Sequence, residues 1–158
     1  MAYNKEQKAK EIYEMLCDTL TDRQWKFQKE ESELKVSFGV VGDDLPMDVR
    51  IYVDAEREFV ILYCSQELTV PDDKRIPFCV GVCALNDHLV DGSFDFDVTD
   101  GTYNYRLVVS YHDAVVGKGL FEYLIDCAAS TVDDANDVMQ AYTDGKIDFE
   151  EFLEKMKS

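Results

Sequence analysis

The sequence predicts a chain of mixed helices and strands, in the order helix, four strands, helix, two strands and two helices. Apolar residues recur at helical spacing in two long stretches, Ala9 to Leu20 and Leu120 to Tyr142. Between them, Leu34 to Val41 and Met47 to Val53 alternate apolar and polar residues as half-buried strands do. Finally, the stretch from Leu85 to Val109 runs a helix end, a glycine turn and a two-stranded hairpin together without a break.

The first helix is expected from about Lys5 to Leu20 with Asn4 as its cap, because Ala9, Ile12, Tyr13, Leu16, Cys17 and Leu20 share one face. After Thr21-Asp22 a short strand should carry Trp25 and Phe27 on one side, with Lys29 to Glu33 as the turn that follows. The second strand, Leu34 to Val41, places Leu34, Val36, Phe38 and Val40 together. Gly42-Asp43-Asp44-Leu45-Pro46 breaks it and opens the third, Met47 to Val53. The fourth, Phe59 to Ser65, is apolar without clear alternation, which predicts burial on both faces and a central position or a covered outer face.

A second helix is expected from Asp72 to Val90, with acids at its N-terminus and Pro77 near its first turn. Its middle, FCVGVCAL, is apolar nearly all round, so it should be clamped between other elements or lie in a subunit interface. In the hairpin, a two-residue Asp100-Gly101 turn would set Thr99 against Thr102, Val98 against Tyr103, Phe96 against Tyr105 and Phe94 against Leu107. The opposite face then pairs Asp97 with Asn104 and Asp95 with Arg106, the latter worth roughly 0.2 to 1 kcal/mol in solvent. A long helix of ~24 residues follows Gly117 and Gly119, a rod of roughly 36 Å. Gly145 should stop it, and Asp148 should cap a last short helix with Glu151 three residues on and Ile147 and Phe152 at the staple positions.

Composition narrows the function classes. The 158 residues can bury one core, so a single domain spanning residues 1–158 is expected. With 16 basic against 33 acidic residues the formal charge is −17, which argues against a nucleic-acid partner, since phosphate neutralisation needs an excess of Lys and Arg. The N-terminus shows no signal-like apolar region and no run approaches the ~18 residues of a membrane span. Five cysteines without framework spacing fit reduced thiols, and a cytoplasmic location is expected.

No motif assembles a reaction centre. The stretch Asp144 to Glu151 imitates half of an EF-hand loop, but aligning Gly145 to the obligatory glycine puts Gln140 and Tyr142 at the first and third ligand positions, so a cap and connector are expected. Cys79 and Cys83, four apart on a helix, could hold zinc only with two further ligands, so they read as small buried thiols. Gly117-Lys118-Gly119 lacks the pattern of a phosphate loop and reads as a helix-start turn. His88 and His112 stand apart from any activated Ser or Cys. Neither a cofactor, a metal nor a catalytic residue is therefore expected. The candidate protein-contact residues are Tyr52 and Tyr111 on strands and Phe78 and Val82 on the second helix. The competing reading is an enzyme or small-ligand-binding domain whose site forms only in three dimensions, from Asp43, Asp44, His88 and Asp113.

The element order, with the Leu85-Asn86 helix end, the Gly92-Ser93-Phe94 strand entry and the Asp100-Gly101 hairpin leading to Tyr105-Arg106, resembles the YbjN-type bacterial family, named for sensory transduction regulators. It is also similar to the type III secretion chaperones, which share that fold. The likeness spans about Ile12 to Met156. It implies an α+β fold in which an antiparallel sheet packs against helices, an absence of enzymatic activity, and work through contacts with a protein partner or a second copy in a homodimer. It supplies no catalytic residues.

Overall fold

In the computed structural model, which describes residues 4–43 and 45–158, the chain begins with helix α1 (Lys5–Asp22). Asn4 is extended and its side chain accepts the Gln7 N–H at 3.2 Å, which satisfies one of the free donors of the first turn. The expected face of Ala9, Ile12, Tyr13, Leu16, Cys17 and Leu20 is buried.

Six antiparallel strands form one sheet: β1 (Gln28–Glu30), β2 (Lys35–Val41), β3 (Pro46–Asp54), β4 (Phe59–Gln66), β5 (Ser93–Phe96) and β6 (Tyr103–Ser110), in the order β1-β2-β3-β4-β6-β5. The first strand lies later than expected and overlaps the start of the segment read as a turn, Lys29 to Glu33. Gln24 is left-handed at φ 59, and the Trp25 N–H returns to Leu20 O, so the chain is still leaving α1 where a strand was expected. Trp25 instead packs edge-on against Phe38 at 5.3 Å, under the Arg23 guanidinium.

β4 is central, as expected, but its two faces differ. Val60, Leu62, Cys64 and Gln66 are buried, whereas Phe59, Ile61, Tyr63 and Ser65 are half-buried. The same alternation runs through β3 and β6, so the helices cover one face of the sheet and the other stays open. α1 packs on β3, and α3 (Lys118–Thr143) crosses β4 and β6. At 26 residues α3 is about 39 Å long.

Helix α2 (Arg75–Asn86) is shorter than the expected Asp72 to Val90. Asp72–Lys74 form a 3-10 turn, and the end is fixed by Asn86, whose side-chain amide donates to Phe94 O at 3.0 Å and accepts the Phe94 N–H at 2.8 Å. An amide occupied as a surrogate strand partner for β5 ends the helix where the sheet begins. Gly145, at φ +75, turns the chain from α3 into α4 (Phe149–Met156), where Asp148 accepts the Glu151 N–H at 2.9 Å. Phe152 of α4 stacks on Tyr142 of α3 and on Phe78 of α2, at 4.3 and 5.5 Å between ring centres.

The hairpin keeps its faces but shifts its pairing by two residues. Phe96 lies opposite Tyr103, Phe94 opposite Tyr105 and Asp95 opposite Asn104. The Asp97 carboxylate accepts the Thr99 N–H and hydroxyl, Asp100 does the same for Thr102, and the Gly101 N–H bonds to Asp97 O. Those side-chain turns widen the loop and leave Val98 exposed rather than against Tyr103. Because the shift is even, Phe94, Phe96, Tyr103, Tyr105 and Leu107 still share the covered face.

Candidate interaction surface

Of the four expected contact residues, Tyr52 alone stands on an open surface. Phe78 is fully buried at the centre of a ring cluster with Phe96, Tyr103, Tyr142 and Phe152, and Val82 is buried beside it. Tyr111 is buried at the end of β6, its hydroxyl donating to Asp54 O at 2.8 Å. These three belong to the core. An all-apolar helix gives no period from which to read its buried side, and α2 turns Phe78, Gly81 and Val82 inward.

The side of α2 that remains outside carries Ile76, 68% exposed, and Val80, 46% exposed, with Cys83 one turn on. Their spacing of four and three residues makes a continuous stripe. Cys83 is thus exposed rather than buried, while Cys79 is half-buried. Burial raises the Cys79 thiol, and it raises Cys64 to about 12, so neither is an activated nucleophile.

On the open sheet face the side chains form a row of cations and rings. The Tyr52 and Tyr63 rings meet edge to face at 6.1 Å, the Lys35 ammonium lies 5.6 Å from the centre of Tyr52, and the Arg50 guanidinium 5.8 Å from that of Tyr63. Lys35 also pairs with Glu30 at 2.7 Å. Arg106 grips Asp95 through two bonds, of 2.6 and 3.0 Å, so the expected pair forms, though on the diagonal of the shifted register. Arg50 differs, because its Nη2 donates to the neutral Asn104 Oδ1 at 3.3 Å.

The residues of the competing site do not come together. Asp43 donates its backbone N–H to Asp133 of α3, His88 lines a shallow cleft with Cys83, Ala84, Asp87 and Lys157, and Asp113 lies beyond β6. Asp44 lies outside the described residues. His112 reaches Glu58 instead, a buried carboxylate that the sequence alone does not mark because 54 residues separate the two. Lys118 of the glycine-flanked turn is tied to Asp22 at 2.5 Å. Among the described residues no three His, Cys, Asp or Glu side chains are grouped to hold a metal, and no helix is long and apolar enough to cross a membrane.

A helix-backed antiparallel sheet with this strand order defines the α+β fold seen in type III secretion chaperones, and the known proteins with similar structures bear this out. At 17% identity, a chain of the ExsC–ExsE complex superposes with a TM-score of 0.57, over 79% of this chain and 92% of that one. YbjN from E. coli does so with a TM-score of 0.56 at 13% identity, over 78% and 90%. A chain of the HopA1–SchA chaperone–effector complex gives 0.50 at 10% identity, over 88% and 94%. The chain belongs to the YbjN family, described as "Putative bacterial sensory transduction regulator", whose pattern matches residues 13–141. No curated protein matches the sequence. The family and the structural neighbours are of regulator or chaperone type.

Proposed function

We propose that this protein is a non-enzymatic, single-domain cytoplasmic module, regulatory or chaperone-like, that binds a protein segment or a second copy of itself. The observation that carries this reading is the α2 stripe. Ile76 and Val80 sit in solvent on a helix whose opposite side is locked against β5 and α4, so the stripe is rigid and presented outward. Covering what remains exposed of these two side chains contributes roughly 1–2 kcal/mol each, because only about half of each is still in water. The open sheet face, with Tyr52 and Tyr63, offers a second rigid surface. Solved complexes of the same fold, ExsC–ExsE and HopA1–SchA, support a protein partner.

Sedimentation velocity over a range of concentrations, together with affinity capture from a bacterial lysate, tests the proposal. Ile76→Glu with Val80→Glu should abolish either self-association or partner capture while leaving the circular dichroism spectrum intact. A wild-type protein that stays monomeric at high concentration and captures no protein would sink it.

A further inference from the structure

We infer that Cys79 and Cys83 of α2 form a two-coordinate site for a soft monovalent metal ion, copper(I), held between their two sulfurs. The residues are four apart, so their side chains rise from the same side of the helix on adjacent turns. Cys83 is exposed and Cys79 half-buried, which lets an ion reach both from solvent. Their thiols also sense each other: burial first, and then the Cys83 sulfur, raises the Cys79 thiol. Elsewhere, Cys17 and Cys64 are buried, and Cys127 lies against the Tyr105 hydroxyl at 3.9 Å.

Helix geometry decides what the pair can do. Side chains four apart carry Cβ atoms about 5–6 Å apart, whereas a disulfide needs about 3.5–4.5 Å, so the two sulfurs cannot bond to each other while α2 stays helical. That form is held firmly, because Phe78, Gly81 and Val82 pack inward and the Asn86 amide is tied to Phe94 by two bonds. An ion in line between two sulfurs separates them by about twice a metal–sulfur bond of ~2.3 Å, roughly 4.6 Å, a span that adjacent turns offer without unwinding.

Coordination chemistry then selects the ion. Zinc completes four ligands and calcium takes six or more oxygens, and among the described residues no third His, Cys, Asp or Glu joins the pair. Copper(I) is soft, prefers thiolates and is satisfied by two of them. Binding forms two copper–sulfur bonds, breaks two S–H bonds and releases two protons to solvent, with no change of oxidation state. The loaded pair carries one net negative charge, which Lys157, lining the cleft beside Cys83, offsets. Cys83 continues the Ile76 and Val80 stripe, so the ion sits at the edge of that surface; the site itself does not depend on a partner covering it.

The test titrates the reduced full chain, under exclusion of oxygen, against the copper(I) complex of bicinchoninate. One copper per chain should leave the chelator, and X-ray absorption should show two sulfur neighbours and no nitrogen. Loss of a ligand costs more than the 10–100-fold that loss of an outer-shell partner does, so Cys79→Ser and Cys83→Ser should each weaken binding by more than about 100-fold. Cys127→Ser should change nothing, and zinc should stay with a competing indicator. Because Cys83 is exposed, its replacement should leave the circular dichroism spectrum intact, which separates loss of a ligand from loss of the fold. Copper that stays with the chelator, binding that survives either α2 variant, a nitrogen neighbour, or withdrawal of zinc from its indicator overturns the inference. So does half a copper per chain accompanied by dimers in sedimentation velocity, which would put the ion between the Cys83 side chains of two copies.

Discussion

His112 Nδ1 stands 2.8 Å from Glu58 Oε2, and Lys5 Nζ approaches the same oxygen at 2.9 Å, although Glu58 is only 2% exposed. The carboxylate therefore ties the first turn of α1 and the end of β6 to the turn between β3 and β4. The backbone of Glu58 is fixed as well: it is left-handed at φ 58, and its carbonyl accepts the Tyr111 N–H at 2.8 Å.

Two substitutions separate those roles. Glu58→Ala removes the carboxylate and keeps the strained backbone, and it should cost about 1–3 kcal/mol. Glu58→Gly also loses the carboxylate but relieves the left-handed conformation, so it should recover about 1 kcal/mol relative to Ala. Urea denaturation of the three proteins measures both differences. If Ala were as stable as wild type, the buried carboxylate would not be what holds these elements.

Packing between α2 and α4 depends on Gly81. A Cβ at that position would come within 2.2 Å of Phe152 Cε1 and 2.6 Å of its Cζ, and that ring is stacked on both Tyr142 and Phe78. Helix propensity alone would make Gly81→Ala stabilising by about 1 kcal/mol. Overpacking acts the other way, by about 1–3 kcal/mol, and should win because the ring has nowhere to move. A raised urea midpoint for Gly81→Ala would show that α4 docks more loosely than this.

Hairpin register offers a test by nuclear magnetic resonance. The Asp97 N–H donates to Thr102 O, so Phe96 and Tyr103 form the next pair, one without mutual hydrogen bonds and with Cα atoms about 4.5 Å apart. A strong Hα–Hα cross-peak should join Phe96 to Tyr103. A peak from Phe96 to Tyr105 would instead restore the two-residue turn.

The difference between those registers shows what the sequence could convey. Period-two and helical patterns place α1, β2, β3 and α3, and the caps at Asn4 and Asp148 follow from local chemistry, because each depends on neighbours within four residues. The Asp-Gly signal also predicted a turn correctly, but Asp97 and Asp100 each bonded a threonine two residues on, and those bonds competed with the tighter loop. Faces survived the error because side-chain alternation is even. The interaction surface was less legible. Nothing local distinguishes Ile76 and Val80 from Phe78 and Val82, since the choice is made by Phe152, some 70 residues away. Arg50 is noticeable only once Asn104 and Tyr63 are seen beside it.

Alkali should unfold this protein through its buried acids. Desolvation raises the Cys64 thiol from 9.0 to about 12 and the Tyr13 hydroxyl from 10.0 to about 12, and it raises Tyr103 and Tyr105 also. In each case the folded state holds the proton more tightly than the unfolded chain does. The stability these groups contribute is thus complete below their ordinary values and is lost as pH rises from about 9 toward 12. Tyr103 adds a specific cost, because its hydroxyl donates to Gln66 Oε1 at 2.6 Å and a phenolate cannot donate. Urea midpoints measured across this range should fall steeply, and phenolate absorbance from the buried tyrosines should rise together with the loss of near-ultraviolet dichroism. Cys64→Val should flatten the first part of the fall, since the thiol ionises at lower pH than the phenols in the unfolded chain. Full ionisation of all nine tyrosines with the dichroism unchanged would refute the burial of Tyr103 and Tyr105.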